Sequence, residues 1–226
     1  MSDDEKYLVT TDKSAGDYVY AAVKAGLASV PVAGGAASEI FVAVVTPPLE
    51  KRRTEWMHDV GEGLRRLEQE RGIDLAALAE NDQFIDIVMS ASAAALKTSS
   101  HLKREALKNA VLNVAAGESP EESLAQVFVA LVDLFTEWHL KILKLFQNPR
   151  AYLSNTNLMS SSLNRTLLDA FPELKDQSML YEQIWTDLNE RGLVNTPGLK
   201  GMMSAGGALA KRTTERGDRF LAFVEA

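Results

Sequence analysis

Residues 18–49, YVYAAVKAGLASVPVAGGAASEIFVAVVTPPL, constrain the fold more than any other part of this chain. The stretch has only two charged residues, Lys24 and Glu39, and small residues crowd its middle. Pro31 interrupts it, because proline disfavours helix at the residue before it and has no amide hydrogen to donate. We therefore predict an apolar hairpin of two short helices over residues 18–48, with contact positions at three glycines: Gly26, Gly34 and Gly35.

Two alternative locations suit such a hairpin. Small residues let helices pack backbone against backbone inside a helical bundle, and they do the same in a lipid bilayer. Only 14 uncharged residues separate Lys24 from Glu39, fewer than the roughly 18 to 20 that a spanning helix requires. A conventional transmembrane segment is therefore not expected.

Three consecutive cations, Lys51, Arg52 and Arg53, follow the hairpin directly. An apolar segment beside a cationic cluster is the arrangement by which interfacial helices bind anionic lipid. A run of three cations is also typical of a solvated helix face. The sequence thus assigns these residues and the three glycines to membrane or partner contact.

The composition is that of a globular protein, with 46% hydrophobic and 24% charged residues in 226. The net charge of −7 is unevenly distributed: residues 1–133 contain 13 Lys+Arg against 21 Asp+Glu, whereas residues 134–226 contain 11 against 10. The acidic first part is unsuited to polyanions. We expect a helical region over residues 15–133 and a second domain over residues 134–226.

The chain has no cysteine, which excludes disulfides and thiolate metal sites and fits a reducing cytoplasm. Its first residues, MSDDEKYLVTTDKS, are acidic and polar, whereas a secretory signal is basic and then apolar. Residues 1–14 are therefore predicted to be a flexible tail. The expected location is the cytoplasm, or the periphery of the inner membrane.

Local signals predict the helix ends of the first region. Thr46 is expected to cap a helix that has Pro47 and Pro48 in its first positions and ends near Gly72. Its apolar face would contain Leu49, Trp56, Met57, Val60, Leu64 and Leu67.

Three further signals follow in the same region. Asn81 opens the next helix, and Gly117 ends the helix after that. Ser119, Pro120 and Glu122 have the capping-box pattern. The buried stripe predicted after the box consists of Leu124, Val127, Phe128, Leu131 and Phe135.

The last 93 residues have a different order of elements. A helix ends at Asn148–Pro149, a polar loop and a short helix follow, and a longer helix ends at Gly192. Strands are predicted at Leu193–Val194 and at residues 208–210, before a final helix. This is the winged-helix order, with a short β-hairpin as the wing. The inward residues predicted for the helix before Gly192 are Met179, Leu180, Ile184, Trp185 and Leu188.

The strings NERGLVNT and TTERGDRFLAFV, on either side of a glycine-bearing loop, resemble the second half of bacterial winged-helix domains. Ahead of them, PPLEKRRTEW, EALKNAVLN and EWHLKILKLF resemble bacterial proteins of the abortive-infection Abi-alpha type. That resemblance implies a helical region before a winged-helix-like end and a part in defence against phage. It implies no catalytic residues.

No catalytic or metal-binding pattern is evident. Glu55-x-x-His58 has the spacing of one half of a di-iron site, but no second such pair occurs. His139 lies near an apolar helix face and is predicted to be a hydrogen-bonded core or boundary residue. Phosphate-binding glycine patterns and a nucleophile elbow are absent from the sequence. We therefore expect no enzyme, no cofactor and no metal.

A winged helix also suggests DNA binding through its third helix. The outward residues of that helix include Glu182, Asp187 and Glu190, which would repel phosphates. Compensating cations lie in or beside the wing, so nucleic-acid or partner contact is assigned to Lys200, Lys211 and Arg212. What the resemblance implies is a non-enzymatic phage-defence effector or regulatory protein that acts through a protein partner or self-association, with a membrane surface as the alternative contact. The alternative is a DNA-binding transcriptional regulator.

Overall fold

The chain is mainly α-helical in the computed structural model, which describes residues 36–153 and 160–225. The prediction of a mainly α fold is confirmed. The helices are α1 (Ala36–Arg71), α2 (Leu75–Leu78), α3 (Asp82–Lys97), α4 (His101–Ala115), α5 (Glu122–Leu134), α6 (Glu137–Gln147), α7 (Pro149–Tyr152), α8 (Leu163–Ala170), α9 (Ser178–Glu190), α10 (Ala205–Ala208) and α11 (Glu215–Val224). The short strands are β1 (Ser160–Ser162) and β2 (Met202–Ser204).

The described residues form two compact units. The first contains residues 36–99 and 110–129, and the second contains residues 100–109, 130–153 and 160–225. The domain boundary that the sequence places after Asp133 is not tested by these units and stays a prediction. The predicted tail, residues 1–14, and the hairpin up to residue 35 lie outside the described residues.

Helix α1 shows that the predicted helix start at Thr46 is wrong. The helix begins at Ala36 and continues through Pro47 and Pro48. Two prolines remove two backbone donors, but both lie exposed, where water can hydrate the carbonyls that lose their partners. The second arm of the predicted hairpin is therefore the first part of a helix of 36 residues.

The first unit is organised around the inner face of α1, which packs on α3. Trp56, Val60 and Leu64 are each at most 3% exposed, which confirms the central part of the predicted face. The Trp56 indole Nε1–H donates a 2.9 Å hydrogen bond to Ser92 Oγ. Both groups are buried, and the bond satisfies two polar atoms that would otherwise be desolvated without a partner.

The predicted signals at Asn81 and Gly117 are confirmed. The Asn81 side chain accepts a 3.0 Å hydrogen bond from the Phe84 amide at the start of α3, and Gly117 has a φ of +73° just after α4. The capping box is wrong, because Ser119 lies two residues before the cap position of α5; its hydroxyl donates instead to the Pro120 carbonyl at 2.8 Å. Helix α5 begins only at Glu122. Val127, predicted to be buried, is 41% exposed.

The second unit has α6 packed against α9. The Phe146 and Trp185 rings meet edge to face, with centroids 4.7 Å apart. The buried stripe of α9 consists of Tyr181, Ile184, Trp185 and Leu188, at the i, i+3, i+4, i+7 spacing of one helix face. Two residues in the first turn lie off this face, so their predicted burial is wrong: Met179 is 89% exposed and Leu180 is 37% exposed.

The strands differ from the predicted pair. Strand β1 pairs antiparallel with β2, with Ser160 opposite Ser204 and Ser162 opposite Met202. The sequence pattern predicts a polar loop at residues 160–162, where the structure has a strand. The predicted strand at 208–210 is wrong because Ala208 ends α10. Val194 forms only an isolated antiparallel bridge, to Thr213. The winged-helix assignment itself stays a prediction.

The start of α11 explains the spacing of Thr214 and Gly217 in the string TTERGDRFLAFV. The Thr214 hydroxyl accepts a 3.0 Å hydrogen bond from the Gly217 amide and donates one of 2.6 Å to the Gly192 carbonyl. A Cβ atom at Gly217 would lie 2.2 Å from the Leu193 carbonyl oxygen. Glycine is therefore required where this helix crosses the backbone that follows α9.

Candidate functional site

A groove opens on the second unit beside α6, with a volume of about 440 Å³. This volume lies within the usual range of ligand sites, roughly 300–1,000 Å³. Its apolar lining consists of Leu102, Ala106, Leu140, Phe171, Leu221 and Val224, and its polar lining of Glu105, Asn109, Lys141, Lys144, Tyr152 and Glu225. We call this site the α6 groove.

The amphipathic sequence of α6, EWHLKILKLFQ, positions one wall of the α6 groove. The helix buries most of its apolar side chains, including Leu140, Ile142 and Leu143. Lys141 and Lys144 are three residues apart and therefore lie on the same side of the helix. The groove thus has an apolar floor with two ammonium groups along one edge.

Aromatic rings form a second wall around Phe171. Its ring centroid lies 5.4 Å from that of Trp138 and 6.1 Å from that of Tyr152, in edge-to-face geometry. The Lys141 ammonium lies 4.7 Å from the centre of the Trp138 ring, a cation–π distance. Two large hydrophobic side chains of the lining are exposed: Tyr152 by 42% and Leu102 by 39%.

The charged side chains of the α6 groove are already ion-paired. Lys144 lies 2.7 Å from Glu225, and Lys141 lies 3.5 Å from Glu137. Glu105 lies 2.5 Å from Lys108. A hydrogen bond with the Ser100 side chain and the charge of Lys141 hold the pKa of Glu137 below its ordinary value, against the effect of burial. The carboxylate therefore stays ionised, and the rim carries balanced charge.

The cations that the sequence assigned to nucleic acid or partner contact lie elsewhere and are also engaged. Lys200 is 2.7 Å from Glu182, which raises the pKa of the Lys200 ammonium. Lys211 is ion-paired with Asp218. Arg212 donates to the Gly207 carbonyl. None of the three lines the α6 groove.

The three cations after the predicted hairpin, Lys51, Arg52 and Arg53, make separate contacts, and their assignment to membrane or partner contact stays a prediction. Lys51 lies 3.8 Å from Glu55, and Arg53 lies 3.4 Å from Glu50. Arg52 instead donates a 3.2 Å hydrogen bond to the Leu96 carbonyl, at the end of α3. The glycines assigned to the same contact, Gly26, Gly34 and Gly35, lie outside the described residues.

His139 is a hydrogen-bonded core residue, as predicted, with 6% exposure. It binds the Thr136 amide through Nδ1 and Asp187 through Nε2.

Within the described ranges, no group of three His, Cys, Asp or Glu side chains could hold a metal ion. Among the described helices, none combines the length and apolar character needed to cross a bilayer.

Sequence reasoning missed the aromatic wall of the α6 groove. Tyr152 ends the short helix α7, and Phe171 follows α8 directly, so neither belongs to a long amphipathic pattern. The available signal was the presence of aromatic residues at two helix ends around a polar loop. Chemically, the groove can bind apolar groups and hold them beside paired charges.

The chain matches no family model, no curated protein and no solved structure.

Proposed function

We propose that this chain is a non-enzymatic, protein-binding component of a bacterial phage-defence system of the abortive-infection kind. The observation that supports protein binding is the α6 groove, with its apolar floor, aromatic wall and paired rim charges. The occupant we propose is an amphipathic helix of a partner protein that inserts uncharged apolar side chains, a common mode of peptide recognition.

The rim charges support an apolar occupant over a polyanion. An anionic ligand would have to displace Glu137 or Glu225 from its lysine and would meet the Glu105 carboxylate. An apolar side chain meets Leu102 and Leu221 without disturbing these pairs. Burying one leucine or phenylalanine contributes about 1.5–3 kcal/mol, whereas an exposed ion pair contributes about 0–1 kcal/mol. Apolar contact therefore dominates the proposed interaction.

The defence role rests on the resemblance of PPLEKRRTEW, EALKNAVLN and EWHLKILKLF to Abi-alpha proteins. A cytoplasmic location accords with a chain that lacks cysteine.

A plating assay tests the defence role, by comparing phage plaque counts on bacteria with and without this chain. The proposal expects plaque counts to fall at least tenfold when the chain is expressed. Unchanged counts across a broad phage panel would count against a defence role.

Substitution in the α6 groove tests the binding mode in the same assay. Leu102→Asp puts a carboxylate beside the apolar floor and should restore plaque formation. Leu134→Asp is the matched control, because Leu134 is also an exposed leucine, at 60%, and does not line the groove. It should protect as well as the wild type. Equal behaviour of the two variants, at equal protein levels, would reject the groove as the binding site.

The hairpin over residues 18–48 is proposed to provide self-association or contact with the inner membrane, because it is apolar and rich in small residues. Flotation with anionic liposomes separates the two roles. Binding should be lost when the hairpin is deleted. If the full chain does not float, the membrane contact is rejected, and sedimentation then tests self-association.

A further inference from the structure

Arg212 is a half-buried cation that lacks a carboxylate partner among the described residues. Its backbone is held on both sides: the amide donates to the Phe146 carbonyl at 2.8 Å, and the carbonyl accepts from the Asn195 amide at 2.9 Å. Its Nη2 donates to the Gly207 carbonyl. Its Nε is buried without a hydrogen-bond acceptor. The guanidinium is therefore fixed in place and incompletely satisfied.

The second group that Nη2 contacts is a sulfur atom. Met203 Sδ, from strand β2, lies 3.5 Å from Arg212 Nη2. The Met203 side chain is half-buried and passes over Gly207, where an added Cβ would meet Met203 Cβ at 3.4 Å. A thioether is only a weak acceptor. The charged Arg212 guanidinium therefore donates to a sulfur atom that is a weak hydrogen-bond acceptor.

We propose that Met203 is an oxidation site whose sulfoxide is bound by Arg212. With hydrogen peroxide as oxidant, a sulfur lone pair attacks one peroxide oxygen, so that an S–O bond forms as the O–O bond breaks. The departing hydroxide takes the proton of the transferred hydroxyl and leaves as water. The sulfur loses two electrons and the peroxide gains them. This inference uses no residue of the α6 groove and is independent of the proposed function.

The Met203 sulfoxide is a stronger hydrogen-bond acceptor than the Met203 thioether. Oxidation makes methionine polar, and a sulfoxide oxygen beside a guanidinium would accept a charge-assisted hydrogen bond, about twice as strong as a neutral one. Methionine oxidation usually disrupts packing. At Met203 it should instead tighten the turn formed by β2 and α10. Met202, the next residue on the strand, is 84% exposed and serves as an internal comparison.

Peroxide treatment followed by hydrogen exchange tests the proposal. The M179L/M202L variant removes the two most exposed described methionines and retains Met203 together with Met1, Met57, Met89 and Met159. Peptide mass spectrometry should show one oxygen added at Met203. Amide exchange in residues 203–212 should then become about tenfold slower, the effect expected for a hydrogen bond to a charged group. The oxidised protein is then unfolded, reduced with methionine sulfoxide reductase and refolded. Amide exchange in residues 203–212 should return to its rate before oxidation.

Arg212→Ala in the same background is the control. Its backbone hydrogen bonds can persist, but oxidation of Met203 should now accelerate exchange in residues 203–212. Arg212→Lys keeps the charge and gives a second test if the alanine variant does not fold. The proposal fails if Met203 resists peroxide at doses that oxidise Met202 in the wild type. It also fails if oxidation accelerates exchange equally with and without Arg212.

Discussion

His139 is a buried imidazole whose contacts determine its protonation state. Its Nδ1 accepts a 3.1 Å hydrogen bond from the Thr136 amide, and its Nε2 lies 3.3 Å from Asp187 Oδ2. Nδ1 is therefore unprotonated and Nε2–H donates. Burial lowers the pKa of His139, the Asp187 carboxylate opposes this, and the charges of Lys103 and Arg191 lower the pKa further. The neutral imidazole is the form that the fold stabilises.

The lowered pKa of His139 predicts that the folded protein loses stability in mild acid. The folded-state pKa of His139 is depressed, so the unfolded chain binds the proton first. The stabilisation is complete above the unfolded value of about 6.5 and is lost as the pH falls below it. The free energy of unfolding in urea should fall between pH 7.5 and 5.5, by at most about 1.4 kcal/mol per pH unit from this group. His139→Gln should lack this component. Identical pH profiles for the two proteins would contradict the assignment.

Helix α1 contains two glycines in different surroundings. A Cβ added at Gly61 meets no atom within 4 Å, whereas one at Gly63 would lie 2.6 Å from Leu112 Cδ1 and 3.2 Å from Leu112 Cγ. Gly61 therefore weakens the helix without a packing role. Gly63 is the position where the α4 side chain approaches the α1 backbone.

We therefore predict that alanine at Gly61 and alanine at Gly63 have opposite effects on the free energy of unfolding. Gly61→Ala should stabilise the fold by about 0.5–1 kcal/mol, the usual difference between the two residues in a helix. Gly63→Ala should destabilise it by about 1–3 kcal/mol, because Leu112 must move. Urea unfolding measures both changes.

A double-mutant cycle identifies the cause. In a Leu112→Ala background the clashing atoms are gone, so Gly63→Ala should become as favourable as Gly61→Ala. A destabilisation that persists in that background would exclude Leu112 as the reason for the glycine.

At the scale of the whole molecule, charge argues against nucleic acid as the partner. The net charge is −7, and two cations near the predicted wing, Lys200 and Lys211, are ion-paired with Glu182 and Asp218. Polyanion binding depends on cations that can release counterions from phosphates. We expect duplex DNA to bind more weakly than about 100 μM at physiological salt, measured by gel retardation. Tight binding that falls steeply with salt, and that K211E/R212E abolishes, would favour the transcriptional regulator instead.

The sequence by itself determined most helix ends and much of the core. Asn81, Gly117 and Gly192 act through hydrogen bonds or dihedrals within a few residues, so their roles are local and visible in the sequence. The buried positions of α1 and His139 follow from helical spacing. Local signals failed at Thr46 and Ser119, where a cap was predicted from residue types that had other roles in the structure.

Only the tertiary structure decided which distant segments meet. Strand β1 consists of serines that show no strand pattern, and it exists because β2, some 40 residues later, lies beside it. The α6 groove likewise brings Leu102, Lys144, Phe171 and Leu221 together from four separate parts of the chain. Met179 is exposed because neighbouring elements select which stripe of α9 is buried. Periodicity specifies that a helix has an apolar face, but packing free energy, summed over partners far apart in sequence, selects what that face contacts.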